Sequence, residues 1–451
     1  MNMANSSKKM ISLSDHFTYG TLIRFTLSSM LVMIFTSIYS VVDGFFVSNY
    51  VGSTPFAALN LIFPFIMFFS AVGFMFGAGG GALVALTLGE GNRDKANGIF
   101  SFIIYIVLFI GIVFAVIGYI ITPIVAVRLG ATEAMLPFCI EYARVSFIGL
   151  PAFMLQNSFQ VFLITAERPQ LGLVVTLIAG MTNIVLDAVF MGIAGFGLWS
   201  AALATIIGQF LGGFIPLFYF FAPNSSKLRL GKPLFDAKAL CKTVINGSSE
   251  FLSNVSMSVV NMLYNFQLMK YAGESGVSAY GIIMYTNFIF VGIFFGYSMG
   301  VAPIAGYNLG AERYEELKNV FKRSIKLISI AGVLMTAVSF LAAGFLAGIF
   351  TGSDQALHEM TKNAIIIYSI AYIFIGYNIF ASAFFTGLNN GIVSAAISFL
   401  RTLVFQVVSV LILPLILGLN GIWGAIVSAE LSAFLFTVYC FLHFKGRYHY
   451  A

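Results

Sequence analysis

The sequence predicts an all-α membrane protein of 12 transmembrane helices, arranged as two six-helix lobes related by a parallel pseudo-two-fold repeat. Three observations predict it. Of the 451 residues 59% are hydrophobic and only 9% are charged, whereas a soluble domain carries roughly 25% charged residues. Apolar stretches of about 20 residues, enough to cross a bilayer as helix, recur along the whole chain. The second half also repeats landmarks of the first. The 49 Phe and 20 Tyr lie in continuous apolar runs, not in the alternation of an outer-membrane barrel, and no stretch is left over for a soluble domain.

Residues 1–17 read as a polar tail without the apolar core and small-residue cleavage site of a secretory signal, so the first span is expected to be an uncleaved anchor. Hydropathy and Gly/Pro punctuation place spans near 18–48, 56–88, 97–125, 134–165, 169–194, 197–222, 241–270, 277–308, 317–350, 361–388, 391–418 and 421–444. The lobes are then 18–222 and 241–444, joined by a link at 223–240 and followed by a tail at 445–451. Lysine and arginine crowd one side. The tails and even-numbered links carry Lys8, Lys9, Arg93, Lys95, Arg168, Lys227, Arg229, Lys232, Arg313 and Lys318 among others, and the opposite side has only Arg128, Lys270 and Lys362. That asymmetry predicts a multi-pass protein of the cell's inner (plasma) membrane with both termini cytoplasmic. The net charge of +6 is therefore a topology signal, with no nucleic-acid partner implied. Cys139, Cys241 and Cys440 are too few and too scattered for a disulfide frame or a metal site.

The halves echo one another at nearly constant spacing. LTLGEGNRDKAN (86–97) answers GYNLGAERYEELKN (306–319), so that Leu88-Gly89 corresponds to Leu309-Gly310. GFGLWSAAL (195–203) answers LNGIWGAIV (419–427), so that Trp199 corresponds to Trp423, the only other tryptophan. Each copy ends after six spans, so both have the same orientation. Such a parallel repeat is the architecture of alternating-access carriers, with the substrate cavity between the lobes.

Only five acids fall inside the expected spans: Asp43, Glu141, Asp187, Glu250 and Glu430. An ionised carboxylate in mid-bilayer costs roughly 3 kcal/mol even on lenient scales, so such acids are functional by default. Asp43 in span 1 and Asp187 in span 5 reach a similar depth in one lobe. Asn183 lies one helical turn before Asp187 on the same face, and Thr205 in span 6 brings a hydroxyl to the same level. Two carboxylates, an amide and a hydroxyl form a cation-coupling set: hard oxygen ligands for Na+, or a carboxylate pair that shares a proton. With both carboxylates ionised, the lobe also presents a negative cavity to a cationic substrate.

The second lobe offers Glu250, about two turns inside span 7, as a substrate contact. Glu430 in span 12 is expected to pair with Arg401 in span 11, and Glu141 with Arg144 on the next turn. Tyr39, Tyr264 and Met284 are aromatic or soft candidates for a cavity wall. Asn261, Asn265 and Asn287 are sharper substrate-binding candidates, because amides facing lipid are expensive. Gly77, Gly79, Gly80 and Gly81 read as close helix packing.

These residues resemble the multidrug and toxic compound extrusion transporters, the MATE family, over the whole chain. The resemblance rests on the two six-span halves, DGFFV (43–47), the glycine-rich second span ending in LGEGNRDKA (88–96), and TNIVLDAVF (182–190). It implies an efflux antiporter that exports small cationic or amphipathic organic compounds in exchange for H+ or Na+. No cofactor beyond the coupling ion and no obligate protein partner follow from it. It further implies that Asp43, Asn183, Asp187 and Thr205 form the cation site of the first lobe. Two departures stand out. Many members carry a proline in span 1, where RFTLSSML (24–31) has none, and an acid in span 10, where this chain reads IFIGYNIFASAFF (373–385). The alternative is a flippase for lipid or polysaccharide precursors from the same wider superfamily. An enzyme is not expected, since no nucleophile, base and oxyanion set is visible.

Overall fold

The computed structural model describes residues 11–351 and 354–451; Lys8 and Lys9 of the basic tail lie outside the described residues. The first half folds into Tyr19–Phe46 (span 1), Ser53–Gly89 (span 2), Arg93–Arg128 (span 3), Leu136–Thr165 (span 4), Pro169–Asp187 (span 5) and Leu198–Phe221 (span 6). Thr18 and Asn92 cap spans 1 and 3 by accepting from the backbone amides of Thr21 and Lys95. Span 1 runs unbroken through its middle, as a proline-free apolar stretch should.

Helical backbone then continues from Ala237 to Gly310, 74 residues, which at 1.5 Å per residue would be about 110 Å, far more than one crossing. The chain doubles back inside it. Gly273 has φ 62° and ψ −152°, a conformation open to glycine alone. The rings of Tyr264 and Tyr280 stack with centroids 5.1 Å apart, although an unbroken helix would hold these two positions about 24 Å apart. Residues 237–272 are span 7 and 274–310 span 8. Span 9 is Tyr314–Leu341, followed by a short separate helix, Ala343–Thr351, where one span to 350 was expected. Span 10 is a pair, Gln355–Ser369 and Tyr372–Gly387, bent by 51°. At that break Thr336 donates to the Ser369 carbonyl, 3.0 Å, so a side chain replaces the lost backbone donor. Span 11 runs from Gly391 to Leu417 and span 12 is Leu419–Tyr448. Among the described residues ten helices are long and apolar enough to cross a membrane, or eleven with the bent pair taken as one; the hairpin at Gly273 makes twelve crossings.

Each half builds its own apolar core. One packs residues from Val47 to Ala239 around Phe100, Phe147, Phe159 and Phe162; the other packs the second half around Phe380, Phe384, Tyr372 and Trp423. Leu13, Phe17, Leu22 and Phe25 cross over to join the second core. The duplication also shows in the backbone. Spans 2 and 8 end identically, with Gly91 and Glu312 left-handed at φ 80° and 54°. Their closing bonds, Asn92 N–H to Thr87 O and Arg313 N–H to Asn308 O, are the Schellman pattern formed at equivalent places in the two halves. Spans 4 and 10 repeat it at Glu167 and Asn389.

The lobes meet backbone to backbone. A Cβ on Gly89 would overlap the Tyr307 carbonyl, and one on Gly310 the Leu86 carbonyl. Gly89 and Gly310 are repeat equivalents, as are Leu86 and Tyr307, so each contact is the other with the lobes exchanged and the pseudo-two-fold axis passes between them. Gly79 meets Thr243 and Gly247 meets Met75 just as closely. These seams lie toward the face where the first tail, the inter-lobe link and the last tail gather, here called the link face. On that face residues 11–18 form a strap across both lobes. Ser12 and the Leu13 amide donate to Glu167 at 2.6 and 2.7 Å, and the Phe17 amide donates to Glu316 at 2.9 Å. Lys227 of the link joins Glu167 at 2.7 Å.

Candidate functional site

Span 1 delivers Asp43 one turn before its end, where the helix widens into a π-helical turn, Val47–Val51. Span 5 delivers Asn183 and Asp187 on one face, and widens at once into a second π-helical turn, Ala188–Ile193. Such turns insert a residue into a helix and re-aim its side chains, which is why they concentrate at functional sites. Spans 1 and 5 can approach because position 180 is glycine: a Cβ there would sit 2.7 Å from a ring carbon of Phe35 and 3.3 Å from one of Tyr39.

The four residues expected to hold the coupling ion come together. Asn183 donates through Nδ2 to Thr205 Oγ1 at 3.3 Å. The Asp43 and Asp187 carboxyls are close enough to interact electrostatically, and Asp187 is wholly buried. Four oxygens, Asp43 Oδ1, both carboxyl oxygens of Asp187 and Asn183 Oδ1, are buried with no protein donor. Buried acceptors are satisfied in nearly all native structures, and these four oxygens have room in their bonding for a proton or a cation. Two neighbouring carboxyls are mutually repulsive when both are ionised and attractive with one proton between them. The alternative occupant is a monovalent cation with oxygen ligands. No group of three His, Cys, Asp or Glu side chains gathers anywhere among the described residues. Tyr142 on span 4, buried and in electrostatic range of both acids, belongs to this chamber and was missed from the sequence, where nothing distinguishes it from nineteen other tyrosines.

The substrate candidates fall into three places. Asp43 and Tyr39 lie together on span 1 of the first lobe, in electrostatic range of each other. Glu250 lines a cavity of about 700 Å³ between the lobes, with Phe74, Ser298, Met299 and Arg401. Asn261, Tyr264, Met284 and Asn287 line a separate chamber of about 630 Å³ inside the second lobe. Asn265, by contrast, is exposed on span 7 and lines neither of these two cavities.

Arg401 lies in the third π-helical turn, Leu400–Val404, on the wall between both of these cavities. Its Nε donates to the Glu430 carboxylate at 2.8 and 3.0 Å. Asn378 donates to the same carboxylate at 2.8 Å and Thr437 to Asn378 Oδ1 at 2.9 Å, so Glu430 is the satisfied structural anion the sequence suggested. Arg144 corrects an expectation. It stacks 4.9 Å over the ring of Tyr119 and forms no ion pair with Glu141 among the described residues, because the guanidinium finds an aromatic face on the neighbouring span 3.

Comparison with known proteins decides the family. The family model described as MatE matches the chain twice, over residues 28–189 and 251–412. The chain belongs to the MATE family. One match falls in each lobe, so the family unit is itself the repeat seen in the fold. Among curated relatives, a multidrug export protein MepA of Staphylococcus haemolyticus is 26% identical over 438 residues, covering 93% of each chain. Among solved structures, a MATE protein crystallised in complex with MaL6 superposes with a TM-score of 0.91 at 23% identity, over 97% of each chain. An outward-facing multidrug resistance MATE transporter matches with a TM-score of 0.90 at 23% identity, over 96% of this chain and 98% of that one. As a MATE protein the chain is a multi-pass membrane transporter and not an enzyme.

Proposed function

We propose that this MATE protein is a secondary multidrug efflux antiporter, exporting cationic and amphipathic organic compounds in exchange for H+ or Na+ by alternating access. The observation that carries the reading is the Asp43–Asp187 pair: two acids within electrostatic range of each other, with buried oxygens that lack donors. A proton or Na+ cancels the charge there, and an organic cation can be held only while it is uncancelled; that competition is what exchange requires. The name of the staphylococcal relatives supports efflux of several compounds. The Lys/Arg asymmetry makes the link face cytoplasmic, and the glycine seams shut that face, so the structure fits an outward-facing member of the cycle. The cavity between the lobes holds Glu250 and one arginine already paired with Glu430. This does not suit the pyrophosphate head groups of a lipid-linked flippase substrate.

The test is transport of a fluorescent lipophilic cation in inverted membrane vesicles under an imposed proton gradient and, separately, a sodium gradient. Uptake that collapses with one gradient and is absent in Asp43→Asn at equal protein level supports antiport and names the ion. No uptake under either gradient, with an indifferent Asp43→Asn, sinks the reading.

A further inference from the structure

The two lobes are copies, yet their chambers differ in charge. Where the first-lobe site holds Asp43 and Asp187 beside Asn183, the second-lobe chamber is lined by Tyr264, Asn287 and Gln406. The only acid lining that chamber among the described residues is Glu430. What charge it holds is Arg401 against Glu430, at 2.8 Å, which sums to zero.

The polar groups facing this chamber are nearly all engaged. Tyr264 donates to Gln406 Oε1 at 2.9 Å, and Tyr280 donates to Asn261 Oδ1 at 3.0 Å. Of the groups left over, which include the Tyr368 hydroxyl, two bear on a ligand. Asn287 is 9% exposed, lines the chamber, and its Oδ1 is buried with no donor. The Arg401 guanidinium spends only Nε on Glu430, and its terminal N–H groups make no hydrogen bond among the described residues. An orphan acceptor and a set of spare donors thus lie beside the stacked faces of Tyr264 and Tyr280.

We propose that the second-lobe chamber is a binding site for uncharged planar heteroaromatic compounds carrying an N–H donor for Asn287 and a carbonyl acceptor for Arg401. An ion entering a chamber of zero net charge in a low-dielectric lobe leaves its charge uncompensated at a cost of several kcal/mol, whereas an uncharged compound meets no such penalty. Burying a donor against Asn287 Oδ1 removes an existing unsatisfied acceptor, and a flat ring adds an offset stack on the tyrosine pair. The inference rests on the exporter reading only for how such compounds reach the chamber. It implies that the protein handles uncharged compounds through one lobe and cations through the other.

Acridone, a fluorescent tricycle with one ring N–H and one carbonyl, tests this against N-methylacridone, in which a methyl replaces the donor hydrogen. Binding is read by fluorescence anisotropy on the purified full-length protein in nanodiscs. Acridone is expected to bind saturably and about tenfold more tightly than N-methylacridone, one buried hydrogen bond's worth of affinity. Asn287→Leu should erase that preference, and Asn287→Gln, which keeps an amide oxygen, should restore part of it; the melting temperature of each variant confirms that the lobe is folded. Equal binding of the two compounds, no saturable binding of acridone, or a preference that survives Asn287→Leu would overturn the proposal. The binding assay needs no gradient. Failure of cation export with a persisting N–H preference therefore strikes the antiporter reading alone, and the converse result strikes this one alone.

Discussion

At the scale of single residues, the chain places its costs in a few positions and leaves most side chains apolar. Asp187 is wholly buried with two unsatisfied oxygens, so replacing it should relieve the fold while disabling the cycle. Asp187→Asn is expected to lower gradient-driven uptake of a lipophilic cation more than tenfold and to leave the melting temperature equal or higher; a variant that unfolds instead would make Asp187 a structural acid. Glu430 is the opposite case, a buried acid with every neighbour arranged for it. Arg401→Met leaves that carboxylate unpaired and should cost about 3 kcal/mol of stability, whereas Arg401→Met with Glu430→Met should recover most of it. Denaturation of both variants in the same detergent measures the difference. Asn183 and Asp187 were legible in the sequence because a four-residue spacing on a helix fixes a shared face, and the Arg401–Glu430 pair because few buried partners were available. Tyr142 and the Arg144–Tyr119 stack were not, because contacts between spans depend on rotation about helix axes, which hydropathy does not record.

At the scale of elements, the π-helical widenings sit where an intramembrane charge sits. Each of the three π-helical turns either contains an intramembrane charge or begins within a turn of one: Asp43, Asp187 and Arg401. The apolar periodicity that predicts a span carries no sign of these local widenings, nor of the 51° bend in span 10, which a threonine on another helix stabilises. The spans themselves were legible. The separation of spans 7 and 8 followed from the glycine and charge near 270–276, even though the backbone there stays helical on both sides of a single residue. The glycine seams make a sharper prediction. Gly89→Val places branched carbons on the Tyr307 carbonyl, so the link face should fail to close. Transport is expected to fall to background, with a cysteine introduced into the cavity wall at Ser298 becoming reactive to a membrane-impermeant thiol reagent from the link side. Normal transport in Gly89→Val would show that the seam is not a closing surface.

At the scale of the whole molecule, the strap of residues 11–18 grips both lobes away from the seams. Glu167 and Glu316 hold it from opposite lobes through backbone amides and the Ser12 hydroxyl. Rocking the lobes apart on the link face must break one of these anchors. Glu316→Gln keeps an acceptor but loses the charge that strengthens its bonds to the Phe17 amide and to His16 at 2.7 Å. It is expected to shift the resting population toward the state open on the link face, by a factor of a few, as read by spin-label distances across the link-face seam. No change in those distances would make the strap a passive tether. Nothing in the polar composition of residues 1–17 announced it, because its hold comes from a few backbone amides whose partners lie in distant parts of the sequence, at Glu167 and Glu316.

The reciprocal contacts of Gly89 with Tyr307 and of Gly310 with Leu86 have the geometry of a symmetric dimer whose subunits have been joined into one chain. In a dimer of identical halves every substitution is made twice, so an acid pair in one chamber would oblige a second pair in the other, and each turnover would carry two coupling ions. Joining the halves removes that obligation. One copy keeps the carboxyls at 43 and 187 while the chamber of the other is lined by a single acid, Glu430, already held by Arg401, so under the antiporter reading the number of coupling ions becomes something a single gene can set one lobe at a time.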